Sequence, residues 1–170
     1  MMQYISNTDH YKEVLSRVQS VKHSLWIGTA DIKDLYVEAG KEKKSFLALL
    51  AQLICKGAEV RLIHAKEPGP AFREDFDKYP VLYDHMERML CPRVHFKMLV
   101  FDFKEVYMGS ANLTGASIGM KGEDKRNFEA GVLPDAPTIV EQAMNQFDDV
   151  WIGKFCKKCK RREFCHDPIK

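Results

Sequence analysis

Apolar positions recur at helical spacing near the start of the chain. Tyr11, Val14, Leu15, Val18 and Val21 form one stripe with Asp9 near its beginning, so the spacing predicts an amphipathic helix over residues 4–23. Continuous apolar runs at 24–30 and 59–65 read as buried strands, separated by a helix over 44–56 that Gly57 ends. Pro68-Gly69-Pro70 marks a loop, and 81–90 reads as helix. Strands are expected over 94–102 and 105–109, joined by a tight turn at Phe103-Lys104, and again over 128–133. A last helix over 136–152 opens on Pro137 and carries Ile139, Ala143, Phe147 and Val150. Strands alternating with helices imply an α/β fold, a mixed sheet sandwiched by helices.

The bulk properties narrow the class. At 170 residues, with 45% hydrophobic and 29% charged residues, the chain suits one domain over 1–152 with a short appendage over 153–170. The opening residues lack a basic stretch followed by an apolar core, so no signal peptide is expected. The longest apolar run, 46–55 broken by Gln52, is short of the ~20 residues a bilayer span needs. The expected setting is therefore the cytoplasm, without membrane partners, where cysteines stay reduced. Net charge is only +2, but residues 151–170 hold seven Lys/Arg against Glu163 and Asp167. Lys157, Lys158, Lys160, Arg161 and Arg162 make this segment a candidate contact for a nucleic-acid backbone.

The chemistry concentrates in His95-Phe-Lys97-Met-Leu-Val-Phe-Asp102, followed after six residues by Gly109-Ser110-Ala-Asn112. Two residues apart in a strand, His95 and Lys97 present their side chains to one face. The next strand can carry Ser110 and Asn112 beside them. An ammonium in so apolar a stretch needs an anion to compensate it, and a phosphate fits. Asp102 has the opposite strand parity to His95 and Lys97, so it is expected to anchor the turn through backbone hydrogen bonds.

At every fixed position this stretch resembles the HxK(x)4D(x)6GSxN signature of the phospholipase D superfamily. The resemblance extends over roughly residues 24–151 and implies that superfamily's α/β fold. It also implies that His95 is the nucleophile of a phosphohistidine intermediate, with Lys97 and Asn112 holding non-bridging oxygens and Ser110 adding a hydroxyl. Asp102 and Gly109 complete the motif. The superfamily's downstream acid corresponds to Glu129, which would accept the Nδ1 proton of His95 and leave Nε2 free to attack. One copy of the motif supplies one histidine where the reaction needs two. The resemblance therefore implies a homodimer with its site on the two-fold axis, working without a catalytic metal. The expected activity is an endonuclease acting on DNA or RNA. The alternatives are phospholipid head-group hydrolysis or transfer, and a nucleic-acid-binding module that does not cut.

The appendage adds Cys156-x2-Cys159-x5-Cys165, followed by His166. Such spacing suits a metal knuckle, with Cys91, Cys55 or His166 as candidates for the fourth ligand. Zinc is the default, and a [4Fe–4S] cluster is the alternative, because the spacing resembles the iron–sulfur clip of some RecB-like nucleases. Of the remaining residues, His64 and Lys66 are expected in a loop that could line a substrate groove. His10, His23 and His85 are expected on helix surfaces, and Phe72, Phe76 and Tyr79 in packing. Glu42-Lys-Lys44 lacks the preceding Pro-Asp strand of metal-dependent nucleases.

Overall fold

A computed structural model describes residues 1–39 and 42–169. Lys170, the last residue of the expected appendage, lies outside the described residues. One seven-stranded mixed sheet organises the chain. Its strands are β1 (Met2–Ser6), β2 (Ser24–Thr29), β5 (Glu59–His64), β6 (Met86–Leu90), β7 (Lys97–Phe101), β8 (Glu105–Gly109) and β9 (Ala130–Pro134). They lie in the order β1-β9-β8-β7-β2-β5-β6. β2, β5 and β6 are parallel, and the remaining pairings are antiparallel. A separate hairpin pairs β3 (Tyr36–Ala39) with β4 (Glu42–Ser45).

Both faces of the sheet are covered, which is why β2 and β7 are buried along their whole length and read as unbroken apolar runs. Strand alternation divides the core in two. Leu25, Ile27, Leu62, Leu99 and Phe101 pack with α1 (Phe46–Cys55), α2 (Pro70–Phe76) and α3 (Pro80–His85). Trp26, Ile63, Met98 and Val100 pack against Val140, Ala143 and Phe147 of α4 (Pro137–Trp151). The Arg61 guanidinium lies over both Trp26 and Trp151, at 4.9 and 5.3 Å from the ring centroids, and so fixes the end of α4 to the sheet. No helix among the described residues is long and apolar enough to cross a membrane.

Two expected helices are part strand. Residues 4–6 belong to β1, which adds an edge to the sheet through β9; Ile5 is fully buried beside exposed Tyr4, the alternation of a strand. Asn7, in a left-handed conformation (φ 43°), breaks the chain before a wide helical segment, His10–Leu15, and a 3-10 turn, Val18–Ser20. Tyr11, Val14, Leu15 and Val18 keep the expected stripe on helical backbone, and Val21 is buried in extended backbone just beyond it. Likewise α3 stops at His85 and Met86–Leu90 forms β6, where pairing with β5 overrides the helix preference of Met, Glu and Leu. The helix expected from residue 44 begins at Phe46, because the Ser45 side chain caps it by accepting from the Ala48 amide.

Candidate active site

The site forms at one end of β7. The register sets Lys97 opposite Gly109 and Met98 opposite Gly28, so Lys97 lies level with both the Gly109-Ser110 turn and Thr29 at the end of β2. Gly109 is required for this approach: a Cβ there would stand 2.3 Å from the Tyr107 hydroxyl and 2.7 Å from the Ala130 carbonyl. The parallel strands β2 and β5 also end here, the position where open α/β sheets take their ligands.

His95 is exposed just ahead of β7, and Lys97 beside it is buried. The Lys97 ammonium donates to the His95 carbonyl (2.7 Å) and meets His95 Nδ1 at 3.3 Å. Among the described residues it makes no ion pair. Burial pushes its pKa down, opposed by the more distant negative charge of Glu129. An ammonium can only donate, so His95 Nδ1 acts here as the acceptor and Nε2 carries the proton.

Asn112 complements it. Its Oδ1 accepts from the Asp31 amide (3.2 Å) and faces the Thr29 hydroxyl (3.4 Å), which fixes the orientation of the carboxamide. The Asn112 Nδ2 group has no hydrogen-bond partner among the described residues, so this end of the sheet holds two strong donors, Lys97 Nζ and Asn112 Nδ2, that can take an anion. Thr29 and Asp31 carry no sequence signal for this role, because contacts some eighty residues apart set it. Lys66, expected in a groove-lining loop, pairs with Asp31 at 3.1 Å. His64 ends β5 fully buried; its Nδ1 donates to the Lys66 carbonyl and its Nε2 accepts from Arg88.

Ser110 and Glu129 form a second group. The Ser110 hydroxyl donates to Glu129 Oε2, and Asn127 Nδ2 donates to Oε1 at 3.1 Å and to Ser117 at 3.1 Å. Within the single chain, Glu129 therefore bonds Ser110 and Asn127 rather than the Nδ1 of His95. Burial raises the Glu129 pKa, but these donors and the nearby His10 outweigh it and hold it below the usual carboxylate value. Asn7 grips the backbone of Glu129 in both directions, accepting from its amide (3.2 Å) and donating to its carbonyl (3.0 Å). His10, expected on a surface, is fully buried: its Nδ1 donates to the Asn7 carbonyl and its ring packs edge-on to Tyr107. Asn127, two residues before Glu129, is the one new member that proximity in sequence could have suggested.

The opposite end of the hairpin is closed. Asp102 and Phe103 are both left-handed (φ 50° and 57°), giving the turn the twist of the strands it joins. The Asp102 carboxylate accepts from the amides of Lys22, His23 and Ser24, at 3.1, 2.7 and 3.0 Å. Burial raises its pKa, and these three donors more than reverse the shift.

The cysteines stand apart from this site. Cys91, Cys156, Cys159 and Cys165 line one cavity of about 550 Å³; His166 and Cys55 are exposed and do not line it. Among the described residues no group of three or more His, Cys, Asp or Glu side chains is placed to hold a single ion. Lys157, Lys158, Lys160, Arg161 and Arg162 are all exposed.

Comparison with known proteins agrees with this architecture. Nuc from Salmonella typhimurium, a phospholipase D family member, superposes with a TM-score of 0.65 at 18% identity, over 89% of this chain and 93% of its own. NucT from Helicobacter pylori gives 0.63 at 15% identity, over 88% and 95%. TrmBL2, an archaeal chromatin protein whose structure shows a novel mode of DNA binding, gives 0.61 at 12% identity, over 88% and 51%. At such identities the likeness is one of fold. No curated protein matches the sequence. Residues 14–151 match the family model described as cardiolipin synthase, PLD-like domain, and the chain therefore belongs to the phospholipase D superfamily of phosphodiesterases.

Proposed function

We propose that the protein cleaves nucleic acid by a metal-independent route, using His95 from each of two chains in a homodimer. The observation that carries this reading is the buried Lys97 ammonium beside exposed His95, which among the described residues makes no ion pair, together with an Asn112 Nδ2 that has no hydrogen-bond partner among them. An unpartnered buried cation is costly, and a phosphodiester anion both removes that cost and presents phosphorus to the imidazole.

In the first step Nε2 of one His95 attacks phosphorus, the P–O bond to the leaving group breaks, and the second His95 donates a proton to the departing oxygen. In the second step that histidine takes a proton from water, whose oxygen displaces the first imidazole and releases a phosphomonoester. Attack through Nε2 requires the proton on Nδ1. Bound phosphate draws the Lys97 ammonium towards itself, which frees Nδ1 to be protonated, and the charged Glu129 is the acid available to stabilise it. A single motif copy in an open, exposed setting supports the two-chain arrangement, since one imidazole cannot be nucleophile and acid in the same step. The basic, exposed segment around Lys157–Arg162 supports a polyanionic substrate.

A lipid head-group reaction is the second reading, favoured by the cardiolipin synthase description of the matching family model. Incubating the protein with excess EDTA and labelled single-stranded and duplex DNA and RNA, beside His95→Ala, separates the two. EDTA-resistant cleavage that disappears in the variant is expected. A folded dimer that cuts none of these substrates but hydrolyses phospholipid would replace the first reading with the second.

A further inference from the structure

Beyond Trp151 the chain has no core of its own. No residue from 152 to 169 is buried, and the one regular element is the 3-10 turn Arg162–Phe164. Yet the segment is shaped. Gly153 turns it in a left-handed conformation (φ 71°), and Ile169 packs against that glycine so closely that a Cβ would stand 2.7 Å away. The Asp167 carboxylate accepts from the Leu90 amide at 2.7 Å, and the Cys165 thiol lies 3.8 Å from the Leu90 carbonyl. The half-buried positions in this stretch are Gly153, Cys156, Cys159, Cys165 and Ile169; the lysines and arginines between them are all exposed. Apart from the two residues that close the turn, the three cysteines alone are half-buried, and all three line one cavity.

They line the 550 Å³ cavity, where Cys91 meets them from the end of β6, its amide held by the His64 carbonyl (2.9 Å). Val94, Phe96 and Val150 give the cavity apolar walls, and Arg93 and Arg162 bring two guanidinium groups to it. A small segment that buries nothing needs a staple, and four thiols around one cavity supply the ligands for it. How the thiols are arranged around the cavity decides which. One zinc ion needs four donors within about 2.3 Å of a single centre, and among the described residues no three such side chains converge in that way. The cavity holds many times the ~30 Å³ share of one water molecule. A cubane cluster instead takes one thiolate at each iron corner, so its sulfur ligands stand apart around a volume. Four thiolates on such a cluster leave it anionic, which the two arginines offset.

We propose that Cys91, Cys156, Cys159 and Cys165 bind a [4Fe–4S] cluster that fastens the basic C-terminal segment to the body. Cys91 lies four residues before His95, so the cluster also braces the approach to β7. The site is independent of the phosphodiesterase reading.

The test uses the full-length protein, purified without oxygen and reconstituted with ferrous iron, sulfide and a thiol reductant. About four iron and four sulfide per chain are expected, with broad visible charge-transfer absorption that bleaches on reduction. Cys91→Ser and Cys159→Ser should each lose this content while keeping the circular dichroism of the body, and Cys55→Ser should keep it. Stoichiometric zinc that iron and sulfide do not replace would overturn the proposal. So would iron and sulfide content unchanged in Cys91→Ser, or a reconstituted protein holding neither metal.

Discussion

The two ends of the β7–β8 hairpin are built from the same short motif and treat their polar groups in opposite ways. At the Asp102 end every strong acceptor is used: three backbone amides converge on one carboxylate, and the turn residues take the conformation the strands require. At the His95 end, five residues back along β7, an ammonium is buried without an anion and a carboxamide nitrogen has nothing to donate to among the described residues. Satisfied groups hold a structure together, whereas unsatisfied donors kept in place by their neighbours are a binding site waiting for charge. The motif therefore combines a structural clasp and a reaction centre, and substitutions should separate them.

The largest effect is expected at the open end. His95→Ala should lower EDTA-resistant cleavage by at least about ten-thousandfold, and Asn112→Ala by about a hundred- to a thousandfold, each read as single-turnover rates. For His95→Ala the urea midpoint should stay near wild type, since the side chain is exposed and its loss empties no core. The reverse pattern is expected at the closed end. Asp102→Ala strands three amides and should cost about 2–3 kcal/mol in urea unfolding, while the folded fraction keeps its kcat. Equal losses of rate in both variants would erase the distinction.

Acid should act on the clasped parts of the molecule next. His10 and His64 are both fully buried, and burial lowers the pKa of each from 6.5 despite the hydrogen bonds and charges around them. The unfolded chain therefore binds protons below pH 6.5 that the native state refuses, so stability is complete above that value and lost as pH falls through the lowered native pKa values. Melting temperature should be flat from pH 8 to 7 and fall below about 6.5. The carboxylates Glu129 and Asp102, also lowered, extend the loss to still more acid conditions. A double His10→Gln, His64→Gln variant should flatten the first part of this profile. The smallest effect is expected far from the hairpin: replacing Lys157, Lys158 and Lys160 by Ala should weaken nucleic-acid binding modestly and reduce its salt slope by about one for each lysine that contacts a phosphate.

What could be read in advance follows from how local each feature is. The hairpin chemistry was legible because His95, Lys97, Ser110 and Asn112 lie at or just beyond the ends of two adjacent strands, and parity alone separated Asp102 from the reacting face. Central strands buried on both faces also announced themselves as apolar runs. The edges did not. Residues 2–6 and 86–90 carry sequences compatible with helix and become strands only because a neighbouring edge is there to pair with. The supports of the site were hidden for the same reason. Thr29 and Asp31 reach Asn112, and Asn7 reaches Glu129, across separations that no local pattern records. His10 looked like a surface residue because its helical stripe is real but begins only after β1 has carried the chain into the core edge.

The central claim is that His95 itself becomes covalently bonded to phosphorus. Mixing enzyme with labelled substrate in EDTA, quenching in base within a single turnover and mapping the labelled peptide tests it directly. A base-stable, acid-labile adduct on His95, absent from His95→Ala, is the expected result. Cleavage that needs added divalent metal and leaves no adduct on His95 would contradict the account.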